Sequence, residues 1–296
     1  MDNKKVLIAG GSGFIGQKLA SLLIEKGYDV STLTRKPKLS KDIFWNPITR
    51  EINLSQLSEI DVLVNLVGEN IGLGRWTKKR KKELVDSRVD STTFLCELAE
   101  KMPKLSYFIS ASAINCYGKE SDKIHKESDD FADNFLSQLI KSWENASDTL
   151  ASKIPVAKLR IPIVLSENDG ALVRIKKITN FGLGAPLGSG KQTMPWIHIA
   201  DLCRLFAFAI DKKLVGSYNA NAGLDSNKDF MKSVALSMKR PFFLPPVPSF
   251  LLKLFLGEQA CIVLEGIKVS NKKIRAAGFT FQDTTLSSAL KKRRNT

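Results

Sequence analysis

Short apolar runs alternate with helical patterns along the first half of the chain. The run 6–9 is β-branched and too short for a helix, so it predicts a buried parallel strand. Apolar residues then recur at helical spacing over 14–26, and Gly27 is placed to end that helix. The same reasoning predicts further strands at 29–34, 43–45, 61–67, 106–112 and 156–164, and helices at 77–101 and 135–150. This alternation predicts an α/β fold with a doubly wound parallel sheet, which binds ligands at the carboxyl ends of its strands.

The first strand runs directly into a glycine-rich turn. The glycines follow two overlapping spacings, Gly11-x-Gly13-x-x-Gly16 and Gly10-x-x-Gly13-x-x-Gly16. Glycines at these spacings allow a tight strand-to-helix turn, close approach of a pyrophosphate and close packing of helix on strand. The free N–H groups of the new helix, at Phe14 and Ile15, then face the anion. A turn in this context predicts a dinucleotide site.

The end of the second predicted strand bears on the choice of dinucleotide. NAD sites place an acidic residue about 20 residues past the glycine turn, where it binds the ribose hydroxyls. This chain has Thr34, Arg35 and Lys36 there instead. Arg35 suits a 2′-phosphate, so we expect NADPH to be preferred over NADH. The alternative is a basic loop on a basic protein.

The pattern changes after residue 165, where glycine and proline become frequent. A glycine-rich loop at 181–190 precedes Trp-Ile-His at 196–198 and a helix to Ile210, and a proline-rich segment leads to an apolar helix at 250–256. We predict a nucleotide-binding domain over 1–165 and a smaller substrate lobe over 166–296. The two are expected to form one compact two-lobed unit.

Charge and cysteine usage narrow the expected partners. The 296 residues carry a formal net charge of +15, with six basic residues in 75–82 and a basic tail at 291–294. No nucleic-acid motif or aromatic platform accompanies them, so we interpret both as solvated and expect no nucleic-acid partner. The four scattered cysteines predict reduced thiols, no metal site and a cytoplasmic location. Nothing resembles a membrane span or a signal peptide, so we expect no membrane partner, a small-molecule substrate, and a monomer or homodimer.

The chain resembles the extended short-chain dehydrogenases/reductases, and more narrowly the NAD(P)-dependent epimerase-like family with a C-terminal domain of unknown function. The resemblance runs nearly end to end and rests on Gly10–Gly16, Asn65 to Ile71, Arg75-Trp76, Ser87-Arg88, Ser110 to Ala113, Tyr117-Gly118, Trp143-Glu144, Leu159-Arg160, Trp196 to His198 and Gly278 to Phe281. It implies a Rossmann-type NADP-binding domain and a small lobe that closes over a substrate. It also implies cofactor contacts at Asn65, Gly68 and Arg160.

The catalytic residues of the wider family are only partly present. Those enzymes use Ser or Thr at the end of the fifth strand together with Tyr-x-x-x-Lys on the next helix, where the Lys lowers the pKa of the Tyr. Ser112 fits the first role. When the chain is aligned on Trp143-Glu144, Leu136 and Ile140 occupy the places of the tyrosine and the lysine. Neither side chain can move a proton.

Other residues are candidates for the substrate side of the site. Tyr117 is the best remaining phenol for proton transfer, the alternative being a packing role. Arg88 falls where many family members have an active-site asparagine. Gln192, in the glycine-rich loop, and Trp196 are expected to contact substrate.

Two classes of function remain open. One is an NADP-dependent oxidoreductase or nucleotide-sugar epimerase-like enzyme with atypical acid/base residues. The other is a non-catalytic NADP(H)-binding sensor or regulatory protein that acts through a protein partner. The glycine turn and Ser112 favour the first, and the missing Tyr/Lys pair favours the second.

Overall fold

The computed structural model describes residues 4–118 and 123–291 and has two sheets. Its strands are β1 (Lys5–Ala9), β2 (Asp29–Thr34), β3 (Asp42–Asn46), β4 (Glu51–Ile52), β5 (Val62–Asn65), β6 (Tyr107–Ala113), β7 (Val156–Ile161), β8 (Ile163–Leu165), β9 (Thr193–His198), β10 (Gly216–Asn219) and β11 (Gly223–Ser226). The large sheet has the order β10-β7-β6-β5-β1-β2-β3-β4, and the small sheet has the order β11-β9-β8. All pairs in the large sheet are parallel except β3 with β4. The predicted doubly wound parallel sheet is confirmed.

Helices cover both faces of the large sheet. The helices are α1 (Phe14–Glu25), α2 (Lys78–Asp86), α3 (Val89–Ala99), α4 (Phe135–Asp148), α5 (Ala171–Asn180), α6 (Ile199–Lys212), α7 (Asn227–Ser237), α8 (Ser249–Leu256), α9 (Cys261–Leu264), α10 (Lys272–Ala276) and α11 (Leu286–Ala289). Along β1, Val6 and Ile8 join the core that contains α1 and α6, whereas Leu7 and Ala9 join the core under α3. Burial on both faces explains why β1 is apolar throughout.

The direction in which the large sheet is built reverses between β1 and β5, the position at which sheets of this kind form a ligand crevice. The chain builds outward from β1 through β2 to β4, then returns to β5 and builds in the opposite direction through β6 and β7. Ala9 and Asn65 are register partners at the carboxyl ends of β1 and β5. The strand order reverses between these two strands, which is the position where such sheets bind ligands.

The single helix predicted over 77–101 is wrong. The structure has two helices there, α2 and α3, with Ser87 and Arg88 between them. The Ser87 hydroxyl donates to the carbonyl of Leu84 and accepts from the backbone N–H of Glu69. Arg88 also donates to backbone oxygens of both Leu84 and Glu69. These tertiary contacts interrupt a pattern that the sequence presents as continuous.

The strand predicted over 156–164 is also divided. Pro162 lies between β7 and β8, and proline supplies no N–H to a sheet. β7 stays in the large sheet, while β8 pairs with β9 in the small one. After residue 165 the chain still contributes to the large sheet, because β10 pairs with β7, and α6 packs against α1. The division at residue 165 stays a prediction.

The remaining elements lie close to their predicted positions. α1, α4, α6 and α8 each begin and end within a few residues of the expected bounds. Among the described helices, none is both long and apolar enough to cross a bilayer. Most of the basic tail at 291–294 lies outside the described residues.

Candidate functional site

The glycine turn between β1 and α1 is shaped by close backbone contacts. Gly10 has a φ of +83°, and a Cβ there would lie 2.8 Å from the backbone of Leu66. A Cβ on Gly16 would collide with the carbonyl oxygen of Gly10. A Cβ on Gly13 would meet only that same oxygen, at 3.3 Å. Gly10 and Gly16 are therefore required by the fold itself, whereas Gly13 leaves space in front of the turn.

That space lies at the N-terminus of α1. Gly13 is the N-cap residue, with φ −74° and ψ 163°, and no side chain among the described residues caps the helix. The N–H groups of the first turn, including those of Phe14 and Ile15, have no intrahelical acceptor. A pyrophosphate fits this position, because exposed N–H groups, the helix dipole and an open approach at Gly13 coincide there.

Arg35 and Lys36 follow the end of β2 and are exposed. β2 pairs in parallel with β1, so its carboxyl end lies on the same edge of the sheet as the glycine turn. On the adjacent strand β3, the carboxylate of Asp42 accepts from the Thr32 hydroxyl at 2.6 Å and from the N–H groups of Lys38 and Leu39. This acidic group is thus held within the protein, and the side chains that extend past β2 are basic.

Asn65 does not fit the expected cofactor contact. Its side chain is fully buried and donates to the hydroxyls of Thr92 and Ser110, while its oxygen accepts from the N–H of Val67. All of its hydrogen-bonding groups are used to fix the end of β5. The residue therefore shapes the floor of the crevice and presents no free polar group to a ligand.

Arg88 lies beside Gly68, where the chain leaves β5. A Cβ on Gly68 would be 3.1 Å from the guanidinium carbon of Arg88. That carbon lies 5.4 Å from the centre of the Trp143 ring, and burial lowers the pKa of Arg88 to about 10. Arg88 therefore places a largely buried positive charge beside the segment that leaves β5, and its contact with substrate stays a prediction.

Ser112 lies at the carboxyl end of β6, where its side chain meets a buried ion pair. Its hydroxyl is 2.5 Å from Oε1 of Glu144, and Arg160 binds both oxygens of that carboxylate, at 2.8 Å through Nε and 2.9 Å through Nη2. Burial alone would raise the pKa of Glu144, but the hydrogen bonds and charge of Arg160 hold it below the ordinary value. Because the carboxylate is ionised, Ser112 must be the donor.

The pairing with Glu144 corrects the expected role of Arg160. Its side chain is almost fully buried and directed at Glu144, Tyr117 and the backbone oxygen of Glu127. A guanidinium held in this way supports the carboxylate and the phenol beneath the crevice. It does not extend toward a cofactor.

Tyr117 is buried beside Arg160, and of the two roles left open by the sequence its contacts favour packing. Its oxygen accepts from Arg160 at 2.7 Å and donates to Oδ1 of Asn219 at 2.8 Å, and the residue is only 4% exposed. Burial raises the pKa of Tyr117 above its ordinary value, despite the opposing effect of Arg160. A phenol whose proton is held by Asn219 is poorly suited to give it to a substrate, so the geometry gives Tyr117 a supporting role for Arg160.

A cavity lies above the position where a catalytic tyrosine was expected. Leu136 and Ile140 are buried in an apolar cluster on α4. Leu136 also lines a cavity of about 170 Å³, whose other lining residues include Trp76, Asn115, Phe135, Glu258, Cys261 and Glu265. The start of α4 lines one side of this open cavity and the segment after α8 lines the other. A small molecule placed there would touch both lobes.

Two family models match this chain. The model described as the NAD dependent epimerase/dehydratase family matches residues 6–221, and a domain of unknown function, DUF1731, matches residues 247–292. The first match covers more than half of the chain. The chain belongs to this family.

Relatives match along nearly the whole length. Epimerase family protein SDR39U1 of Mus musculus is 33% identical over 294 residues, covering 97% of this chain and 98% of that protein. Epimerase family protein ML0860 of Mycobacterium leprae is 35% identical over 296 residues, covering 96% and 94%. The crystal structure of human SDR39U1 (isoform 2) with NADPH has a TM-score of 0.86 at 30% identity, covering 97% of this chain and 98% of that chain. The expected family and fold are confirmed.

More distant solved structures share the fold. UDP-glucuronic acid 4-epimerase from Bacillus cereus, in complex with UDP-glucuronic acid and NAD, superposes with a TM-score of 0.77 at 20% identity. Identity at that level establishes the shared fold alone. The nucleoside-diphosphate sugar epimerase of Corynebacterium glutamicum is 27% identical, with a TM-score of 0.80, over 98% of this chain and 57% of that chain.

Two predicted substrate residues of this family member lie inside the protein. The amide of Gln192 donates to the backbone oxygens of Leu187 and Val263, both at 2.8 Å, and so ties the glycine-rich loop to the C-terminal segment. Trp196 is fully buried, and its indole N–H donates to Asp225 at 2.6 Å. Both expectations need correction, because each polar group already has a partner within the small lobe.

The two histidines are held by the fold. Nδ1 of His198 caps α6 by accepting from the N–H of Ala200. His125 is partly buried, with its ring stacked on Tyr117 at 5.0 Å between centroids. Among the described residues, no group of three or more His, Cys, Asp or Glu side chains is arranged to hold a metal ion.

Glu144 is the residue of the candidate site that sequence reasoning gave no role. The signal was available, because Glu144 falls on the same face of α4 as Leu136, Ile140 and Trp143. A carboxylate on the apolar face of a helix requires a buried partner. The sequence gives no indication that this partner is Arg160 on β7.

Proposed function

We propose that this protein binds NADPH and acts on a small molecule as an oxidoreductase or nucleotide-sugar epimerase-like enzyme of the extended short-chain dehydrogenase/reductase type. The observation that carries the proposal is the open approach at Gly13 to the uncapped N-terminus of α1. The basic end of β2 supports the choice of NADPH, as does the NADPH in the crystal structure of human SDR39U1. A cytoplasmic location and a monomeric or homodimeric state stay predictions.

The chain offers specific groups for each part of the nucleotide. The N–H groups of Phe14 and Ile15 bind the pyrophosphate, with Gly13 leaving room for it. Arg35 binds the 2′-phosphate through charge-assisted hydrogen bonds. When bound, the nicotinamide supplies or accepts a hydride.

Ser112 is the residue of this chain proposed to orient a substrate. Since its proton is donated to Glu144, the free lone pairs of its oxygen can accept a hydrogen bond from a substrate hydroxyl. Arg88 at the crevice edge would favour an electron-rich substrate oxygen. Both residues position the substrate. Neither is assigned the transfer of the proton.

The missing Tyr/Lys pair limits the rate that this geometry supports. Leu136 and Ile140 cannot exchange a proton, and positioned proton transfer contributes typically about 10²–10⁴-fold to a reaction. Hydride transfer to a well-oriented carbonyl can still proceed through proximity. We therefore expect slow turnover of generic carbonyl substrates.

One observation favours the second candidate function, an NADP(H)-binding sensor. The two polar groups nearest to a catalytic role, Ser112 and Tyr117, both have their protons committed to buried acceptors. A protein that retains nucleotide binding without an available proton donor suits regulation through a protein partner.

A substrate screen separates the two functions. Purified protein is incubated with NADPH and aldehydes, ketones or nucleotide-sugars, using wild type, Ser112→Ala and the control Ser142→Ala, an exposed serine on α4. The enzyme hypothesis predicts a substrate whose turnover falls at least about tenfold in Ser112→Ala and stays unchanged in the control. Tight NADPH binding without turnover of any compound would favour the sensor.

A further inference from the structure

Helix α8 is apolar, yet none of its residues is buried. Its sequence is Ser-Phe-Leu-Leu-Lys-Leu-Phe-Leu, and Phe250, Leu254 and Phe255 are 69%, 64% and 73% exposed. A helix of this composition normally places its apolar side chains against a core. Contiguous exposed apolar surface on a folded protein marks an interaction site.

A second exposed segment lies alongside α8. Phe181, in the loop after α5, is 73% exposed, and Phe243 is 75% exposed. The two segments are joined by backbone hydrogen bonds, since Val247 donates to the carbonyl of Pro186 at 2.8 Å and accepts from Gly188 at 2.9 Å. We call the exposed residues of 171–191 and 239–256 the apolar–basic surface.

The charges of this region all have one sign. Residues 170–200 contain Arg174, Lys176, Lys177 and Lys191, and residues 230–257 contain Lys232, Lys239, Arg240 and Lys253, while neither range contains an Asp or a Glu. Arg240 donates to the side chain of Asn180 at 2.8 Å, which brings its positive charge next to Phe181. Lys253 lies within α8 itself. Lys176 pairs with Glu167, which lies just before this range, and the other basic side chains leave an excess of positive charge among the exposed phenylalanines.

These features identify the kind of partner that fits. A second copy of this chain would bring the same basic side chains against each other, and the whole chain already carries +15. An anionic phospholipid surface offers negative headgroups to the lysines and an acyl boundary to the phenylalanines. We propose that the apolar–basic surface docks this protein on anionic membrane surfaces, without spanning them. This proposal replaces the expectation of no membrane partner and does not depend on the proposed enzymatic function.

The expected strength of vesicle binding follows from two contributions, the attraction of basic residues to anionic lipid and the burial of phenylalanine rings. Each basic residue near an anionic surface strengthens binding by about fivefold at low ionic strength, and added salt weakens it. Buried phenylalanine rings add a contribution that salt does not screen. Removing two of the rings should therefore weaken binding by at least about tenfold.

Vesicle sedimentation tests the proposal. Full-length protein is mixed with vesicles of phosphatidylcholine alone, or of phosphatidylcholine with phosphatidylglycerol, at low and at physiological salt. We expect co-sedimentation only with the anionic vesicles, loss of at least about tenfold in Phe250→Ser/Phe255→Ser, and a loss of about fivefold in Lys253→Gln, which removes one positive charge. The matched control is Leu39→Ser/Ile48→Ser, which changes two apolar residues that are 73% and 82% exposed elsewhere on the molecule.

Two results would overturn the proposal. One is that the protein fails to bind anionic vesicles at low salt, or that the Phe250/Phe255 variant binds them as tightly as the control variant does. The other is a wild-type dimer, measured by light scattering without vesicles, that becomes monomeric in the Phe250/Phe255 variant, because a second copy would then cover the surface. Circular dichroism of each variant verifies that the fold is intact, as expected for exposed side chains.

Discussion

The hydroxyl of Ser112 donates to the carboxylate of Glu144 across 2.5 Å, and Arg160 binds both oxygens of that carboxylate. In the resembling enzymes, the serine works beside a tyrosine and a lysine. Here the region below the serine is filled by a buried ion pair, and the tyrosine and lysine places are apolar. At the end of β6, the proton of Ser112 is therefore held by a buried carboxylate.

The first prediction concerns the stability of this pair. Removing one partner leaves the other charge buried and unpaired, so Glu144→Gln and Arg160→Met should each lower the free energy of unfolding by about 3–5 kcal/mol. The matched control is the exposed pair Arg50–Glu97, where Glu97→Gln should cost less than about 1 kcal/mol. Urea unfolding of the variants measures both. Equal small losses at the two sites would contradict the account.

The second prediction is a pH dependence with a defined sign. The pKa of Glu144 is lowered in the folded protein from an ordinary value of 4.5. Its stabilising contribution is therefore fully present above pH 4.5 and is lost as the pH falls through the lowered folded value. Unfolding measured on both sides of that range should show a smaller acid-induced loss in Glu144→Gln than in wild type. If the free energy of unfolding fell equally with pH in the two proteins, Glu144 would not contribute to acid unfolding.

The third prediction separates two glycines of the turn. Gly13→Ala should leave the free energy of unfolding nearly unchanged while weakening nucleotide binding, because its Cβ enters the space in front of the turn. Gly16→Ala should destabilise the fold itself, since its Cβ meets the carbonyl oxygen of Gly10. Thermal unfolding and nucleotide titration of each variant check this. Normal NADPH binding by Gly13→Ala would mean that the glycine serves only the turn.

The fourth prediction concerns the basic stretch 75–82. Much of its charge is paired, since Arg80 binds Glu83 at 3.0 Å, Lys82 binds Asp86 at 2.5 Å and Lys81 pairs with Glu258. Mixed-sequence DNA or RNA should therefore bind weakly, with an affinity that falls steeply as salt rises. Fluorescence anisotropy over a salt series measures this. Submicromolar, sequence-selective binding at physiological salt would contradict it.

The parts of the fold that depend on local pattern were predictable from the sequence. β1 and the helix after it follow from an apolar run, a glycine turn and a helical period within 25 residues. The break at Arg88 was not predictable, because it depends on contacts with Glu69, which lies 19 residues earlier in the chain. β10 was missed because its four residues are only partly apolar and join the sheet through long-range pairing.

The candidate site, like the fold, was predictable only where it depends on local sequence. The nucleotide side of the crevice uses backbone groups, so glycine spacing predicts its position. The substrate side uses side chains from β6, α4 and β7, and only tertiary structure brings Ser112, Glu144 and Arg160 together. Gln192 was misinterpreted because the glycines around it suggested an open loop, whereas its amide lies buried between two backbone carbonyls.

The most direct test of the central claim is a calorimetric titration with NADPH and NADH. NADPH should bind about tenfold to hundredfold more tightly, because a charge-assisted contact from Arg35 to the 2′-phosphate is worth about 1.5–3 kcal/mol. Arg35→Ala should remove most of that difference and leave NADH affinity unchanged, while Arg275→Ala, an exposed arginine on α10 beside the opposite edge strand β10, should preserve it. Equal affinities for the two nucleotides in wild type, or unchanged discrimination in Arg35→Ala, would contradict the account.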